Sequence, residues 1–324
     1  MNRWSVALSA FLAFTAACSD EPPIQELEAE LKPGVVPIGG EGRPQTLHEA
    51  TQGESDVALW QVSDEDTIVY LLGTVHLLKP GTDWKNDAIR KAFNQSRAAY
   101  LEADVFSKAA QRSMGLIVTK TAEYSSSQML TDFYDQDEQA KIDEGLALIG
   151  SSLDDMKTYR PWFATLQASL LSVVNAGGDP SAGADVMIAR EMLARRRPLR
   201  YLETAAQQMQ MMAAGDDETD AAYFLEMVDA LKLGEAYFAD LIGAWYQGDV
   251  ERLDFLVNSS LKDYPELHRR LLLDRNQDWA LQLDRLLTDE RGVYLVAVGV
   301  GHLVGKNAVQ AQLVRRGYEP IRVN

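Results

Sequence analysis

Cysteine is almost absent. The 324 residues hold one, Cys18, so no internal disulfide framework exists and stability must come from a buried core. Histidine is scarce as well, with four in the chain, which makes any repeated histidine context informative. Basic charge is in deficit: 31 Lys and Arg against 48 Asp and Glu give a formal charge of −17. That balance argues against a nucleic-acid backbone as partner, because neutralising phosphates takes a basic patch. Beyond the N-terminus no apolar run approaches the roughly 20 residues of a membrane-spanning helix. Gly-x-Ser-x-Gly, a phosphate loop, His-Glu-x-x-His and Cys-x-x-Cys are all missing, which removes the usual serine-hydrolase, nucleotide, zincin and dithiol chemistries.

What is present begins with an address. "MNRWSVALSAFLAFTAAC" combines Arg3, an apolar stretch from about Val6 to Phe14 and small residues before Cys18. It reads as a signal peptide over 1–17 followed by a lipidated Cys18, with an ordinary secretory signal as the alternative. Either way the chain is expected to be exported to the bacterial cell envelope; lipidated at Cys18, it would be membrane-tethered and face the periplasm. Residues 18–56, rich in Pro, Gly, Glu and Gln, are expected to be a flexible tether, with a short helix around Gln25–Leu31. Residues 57–324 form the folded domain. At 46% hydrophobic and 24% charged the composition is that of a globular protein rather than a disordered one.

Within that domain "VALWQVS" and "TIVYLLGTVH", joined by "DED", read as a β-hairpin. The amphipathic "DWKNDAIRKAFNQS" and the short apolar "AAYLEADV" follow. Helical periodicity fills about 107–197 and 204–287, with the strand "RPLRYLE" between them. The end is a strand "GVYLVAVG", a helix over "VGKNAVQAQLVRRG" and a last strand "YEPIRV". Strands alternating with helices predict an α/β fold with a mixed, mostly parallel sheet and a large helical insertion or cap.

Two histidines share one context. "GTVH" ends in His76 and "GVGH" ends in His302, each a Gly-x-x-His at the end of a strand. Glu102 and Glu203 also fall at strand ends, in "AAYLE" and "LRYLE". In a mostly parallel sheet those ends converge on one edge, the usual ligand crevice. Gly73 and Gly299 would let the backbone turn or approach a ligand there, and Gly301 keeps the residue before His302 small. Two imidazoles and a carboxylate suit a divalent ion such as Zn²⁺, Mn²⁺, Co²⁺ or Fe²⁺ and leave room for an activated water. Each of these residues could instead be a hydrogen-bonded structural group. The Met-rich "QQMQMMAA" is expected to be helix core. Arg195–Arg197 are expected to close a helix before Pro198, while His48 in the tether and His268 in a charged helix are expected to be solvated.

Taken in order, "YLLGTVH", "AYLEADV", "RPW", "GADVMIAR", "YLETAAQQ", "DRNQDWA" and "VAVGVGHLVGKNAVQAQLVRRGYEPIRV" resemble the TraB/GumN family, whose animal relatives are the Tiki metalloproteases. The resemblance runs from about Val57 to Val323. It implies a metal-dependent hydrolase, most readily a peptidase, with His76, Glu102 and His302 on the metal. It further implies that Arg275 and Asn276 bind substrate or polarise the scissile carbonyl, with Glu203 or a metal-bound water serving proton transfer. Gly183 and Asp185 match a Gly-x-Asp of the family, without a role assigned to the acid. A distant likeness to erythromycin esterases supplies the alternative of His76 as a metal-free general base with Glu102 orienting the water. A non-catalytic lipoprotein that sequesters a peptide is the third reading. The substrate class is thus a peptide or a small amide or ester.

Overall fold

A computed structural model describes Ile38 and residues 40–259 and 261–324. The signal, Cys18 and the expected Gln25–Leu31 helix lie outside the described residues. Six strands form one sheet: β1 Leu59–Ser63, β2 Thr67–Thr74, β3 Ala98–Ala103, β4 Leu199–Glu203, β5 Gly292–Gly299 and β6 Ile321–Arg322, in the order β4-β3-β5-β2-β1-β6. The four strands from β4 to β2 run parallel, and β1 and β6 are antiparallel additions at one side. The expected mixed, mostly parallel α/β sheet is what the chain forms.

The opening hairpin follows from its turn. Asp64 Oδ1 accepts from the backbone N–H groups of Asp66 and Thr67 at 3.1 and 2.8 Å, so the acidic side chain takes donors that the tight reversal would leave unpaired. That fixes the register Ser63↔Ile68 through Leu59↔Leu72. The parallel strands alternate between two buried faces, as a sheet covered on both sides requires. Val69, Leu71, Tyr294, Val296 and Val298 point to one face; Tyr70, Leu72, Leu295, Ala297, Ala99 and Leu101 point to the other.

The first face is covered by the helix Asp274–Asp289, whose Trp279, Ala280, Leu283, Leu286 and Leu287 form a single apolar stripe at helical spacing. The helix Val309–Val314 completes that layer; it is much shorter than the expected Val304–Gly317, because 304–308 are bends and turns with Gly305 at φ 78° and the chain turns again at 315–317, with Gly317 at φ 93°. All other long helices build the opposite layer, which carries the larger core. Two expectations change here. Asp274–Asp289 is part of the sheet's own cover and not of a cap. The tether also ends earlier than 56, since Thr46 caps a short helix Leu47–Ala50 whose buried Leu47 donates its backbone N–H to Glu235 Oε1 at 2.8 Å. No helix among the described residues is long and apolar enough to cross a membrane.

Local features resolve several smaller expectations. Met209 and Met212 are fully buried core of the helix Ala205–Met212, as expected. Arg197 does neutralise a helix end, but a different one: its guanidinium donates to the carbonyls of Phe93, Asn94 and Ser96, at the C-terminus of Asp87–Gln95. His48 is exposed, whereas His268 is half-buried against Asn258.

Candidate active site

Parallel register brings the strand ends together. Thr74 lies opposite Gly299, Ala103 opposite Glu203 and Leu101 opposite Ala297. Glycine matters here for packing within the protein. A Cβ on Gly73 would lie 2.9 Å from Val300 Cγ2, so Gly73 makes room for the second motif and not for a ligand. Gly299 contributes its backbone N–H, which donates to Glu102 Oε1 at 2.5 Å.

Alternation along β3 turns Glu102 toward the face covered by Asp274–Asp289, and Arg275 in that helix's first turn reaches back to meet it. A π-helical turn, Arg269–Leu273, precedes it; such wide turns recur at functional sites. Every N–H of the buried Arg275 guanidinium is used. Nη2 donates to Glu102 Oε2 (2.7 Å) and Glu203 Oε1 (2.6 Å), Nε to Glu203 Oε2 (3.2 Å), and Nη1 to the Leu271 carbonyl (3.1 Å) and His302 Nε2 (2.8 Å). The Trp279 ring lies 4.5 Å from the guanidinium carbon, adding a cation–π face. Burial opposes the charge on Arg275, but Glu102 and Glu203 outweigh it and hold the pKa above its ordinary value.

His302 is fully buried beneath this hub. Asn276 Nδ2 donates to the Asn307 carbonyl (2.9 Å), which leaves Oδ1 to accept from His302 Nδ1–H at 2.6 Å. The ring is therefore the neutral Nδ1–H tautomer with its Nε2 lone pair taken by Arg275. Burial first, then the Arg275 charge and His76, holds the His302 pKa well below its usual value.

His76 is different. It is buried, yet Nε2 has no partner and Nδ1 has only the Asp185 Oδ2 carboxylate oxygen, 3.3 Å away. Burial lowers its pKa, but the Asp185 carboxylate, helped by Glu102 and opposed by Arg275, raises it on balance above 6.5. His76, Asp185, Glu102 and Gln208 line a cavity of about 30 Å³ whose remaining wall includes Leu101, Ala103 and Ala297. Glu203 lies beside it and lines an open groove of about 470 Å³ with Thr204 and Ser113. Burial pushes the Glu203 carboxyl above the usual carboxylate range despite Arg275.

Residues 58–322 match the sequence pattern of the TraB/PrgY/gumN family. The chain belongs to that family. No curated protein and no solved structure matches it. The expected site residues of this TraB/PrgY/gumN protein therefore fall into two sets. Glu102, Glu203, Arg275, Asn276 and His302 form one buried hydrogen-bonded hub; His76 stands at a cavity beside it. Arg275 and Asn276 were expected to polarise a substrate carbonyl; in this packing all five Arg275 N–H donors are committed, and Asn276 spends one of its two on the Asn307 carbonyl.

The expected metal set can be tested on its lone pairs. Both His302 nitrogens are engaged, both Glu102 oxygens accept hydrogen bonds, and the Arg275 cation stands between these two side chains. No group of three or more His, Cys, Asp or Glu side chains able to hold an ion occurs among the described residues. So packed, His76, Glu102 and His302 do not fit a shared divalent ion.

Two residues were not assigned roles from sequence. Asp185 reaches His76 because the 179–184 segment runs beside Val75–Leu78, with Ala184 N–H donating to the Val75 carbonyl and Asp179 N–H to that of Leu78. Gln208 donates to Glu102 (3.3 Å) and Glu203 (3.2 Å). Its signal was available: Thr204 and Gln207 form a capping box, so Glu203 and Gln208 occupy the pair of positions that an apolar staple usually fills. A polar pair there marks a helix start built around a carboxylate.

Gly183 sets the approach. A Cβ there would lie 2.2 Å from the His76 carbonyl oxygen and 2.8 Å from Asp185 Oδ1. Gly183→Ala is expected to cost about 1–3 kcal/mol, as overpacking does. A melting curve that matches wild type would contradict this close approach.

Proposed function

We propose that this protein is an exported hydrolase that attacks an ester, amide or peptide carbonyl with water activated by His76. One observation carries the reading: a buried histidine whose Nδ1 faces the Asp185 carboxylate at 3.3 Å and whose Nε2 has no partner, beside a cavity. A satisfied structural histidine would have spent those nitrogens on neighbours, as His302 has.

In this reading Asp185 holds His76 with Nδ1–H toward the carboxylate and Nε2 toward the cavity. Nε2 takes a proton from water as its oxygen bonds to the acyl carbon, and returns that proton to the leaving group when the tetrahedral species collapses. Glu102, fixed by Arg275 and the Gly299 N–H, orients the water. His302, Asn276, Glu203 and Gln208 hold Arg275 and Glu102 in place. The signal and Cys18 support export and a lipid anchor, with the folded domain facing the periplasm.

The test is turnover of p-nitrophenyl acetate and of a quenched-fluorescent peptide mixture by the full chain, beside Asp185→Asn. Wild-type hydrolysis reduced about 10²-fold in the variant is the expected result. An inert wild type sinks the hydrolase reading and favours a protein that sequesters a peptide in the same cleft.

A divalent ion is the second reading, favoured because His76 Nδ1 and Nε2 and Asp185 Oδ1, all ligand-type atoms, are buried without hydrogen-bond partners. Its measurement is metal content after incubation with Zn²⁺, Mn²⁺ or Co²⁺. About one ion per chain that disappears in His76→Ala would support it.

A further inference from the structure

The cavity beside His76 has one more polar wall. Thr74, the last residue of β2, is 1% exposed, and its Oγ1 makes no hydrogen bond to any other group of the protein. Strand alternation places its side chain on the same face as Tyr70 and Leu72, where it lines the His76 cavity together with Leu101 and Ala297.

A buried hydroxyl without a partner costs about 1–3 kcal/mol, and a valine would fill the same space without that cost. Its same-face neighbours on the sheet, Leu72 and Ala297, carry no polar side-chain atom to pair with the hydroxyl. Backbone pairing of Thr74 with Gly299 needs no side-chain oxygen either. What the cavity does offer is size: about 30 Å³, against the roughly 10–15 Å³ that holds one water.

We infer that Thr74 positions the attacking water of the hydrolysis, its Oγ1–H donating to one lone pair while His76 and Glu102 accept the two O–H groups. This rests on the hydrolase reading above. A water held at these three points has its one free lone pair directed out of the cavity toward an incoming carbonyl. Its oxygen bonds to the acyl carbon, one proton passes to His76, and the carbonyl electron pair moves onto oxygen. When that pair returns, the bond to the leaving group breaks and the His76 proton departs with it. Thr74 forms and breaks no covalent bond.

The experiment compares wild type, Thr74→Val and Thr74→Ser in the full chain, reading kcat and KM on p-nitrophenyl acetate and on the peptide mixture, together with melting temperature. The expected result for Thr74→Val is a kcat lowered by about 10–10²-fold with KM within about twofold of wild type, because ground-state binding is untouched. Its melting temperature should equal or exceed wild type, and Thr74→Ser should restore most of kcat. A Thr74→Val protein that melts well below wild type would mean that the hydroxyl is structural, and full turnover in a stable Thr74→Val would mean that it holds no reacting water. Either result overturns the assignment. A wild type inert toward both probes removes the hydrolase reading itself and this assignment with it, an outcome distinct from an active, Thr74-independent enzyme.

Discussion

Replacing His76 with Gln is expected to lower turnover of either probe by about 10²–10⁴-fold, the usual contribution of a general base, with little change in melting temperature. The fold should survive because the ring's one polar neighbour is Asp185, which the glutamine amide can still face. Glutamine is also close in volume and keeps polar atoms beside Asp185. The pH profile gives a second reading of the same group. Asp185 raises the His76 pKa above 6.5 against the effect of burial, so the native state binds the proton more tightly than the unfolded chain. Stability from the pair is fully present below about pH 6.5 and is lost as pH rises through the folded-state value. Activity runs the other way, since the base must be neutral: kcat/KM should climb as pH passes above the usual histidine range. A His76→Gln protein with unaltered turnover, or a wild-type rate that falls across that same interval, would rule out His76 as the base.

His302→Ala shows how differently the second motif is built. From sequence the two Gly-x-x-His motifs are equivalent, and removing either histidine would be expected to stop chemistry and spare the fold. Packing separates them. His302 is wedged between Asn276 and Arg275, with its ring centroid 4.4 Å from that of Trp279. Its loss leaves two buried groups unpaired.

The sheet was legible because its signals are local. Apolar runs ended by Gly-x-x-His or by Leu-Glu, and an Asp-Glu-Asp turn, are enough to place β1 through β5, and parallel order then implies that the strand ends meet. The helical layers were legible as helix but not as layers. Periodicity gives Trp279, Ala280 and Leu283 one face without saying which side of the sheet that face covers. The site residues were found as a set because each sits at a strand end or in a polar motif. Their division was hidden, since it depends on where Arg275 points, and that is fixed by Glu102 alternating toward one face of β3 and by the π-helical turn before Arg275. Asp185 lacked a role for a similar reason: its partner is 109 positions away and is reached through a loop contact that Gly183 permits.

Arg275→Met should be the most destabilising single change in the site. Methionine matches the length of the stem and keeps contact with Trp279, so the loss isolates the charge and its donors. Removing one member of a buried ionic cluster costs about 3–5 kcal/mol, because the charges left behind are uncompensated. Here that leaves the buried Glu102 facing the partly buried Glu203 and His302 Nε2 without its donor. At about 2–4 °C per kcal/mol for a domain of this general size, the melting temperature should fall by on the order of 10 °C. The deficit should itself depend on pH. Glu203 is already held above the usual carboxylate range by burial, and without Arg275 it rises further, so the native state would bind a proton that the unfolded chain releases. Native stability of the variant then falls as pH rises from the unfolded carboxylate range near 4 toward neutrality, and the gap to wild type is widest at neutral pH. The triple variant Arg275→Met, Glu102→Gln, Glu203→Gln should recover part of that loss, since it removes the stranded charges, yet stay inactive, since no carboxylate remains to orient water. Differential scanning calorimetry of the three proteins at pH 5 and pH 7.5 separates these terms. An Arg275→Met protein as stable as wild type at pH 7.5 would mean that the guanidinium is not the hub of this site, and the division between hub and cavity would fall with it.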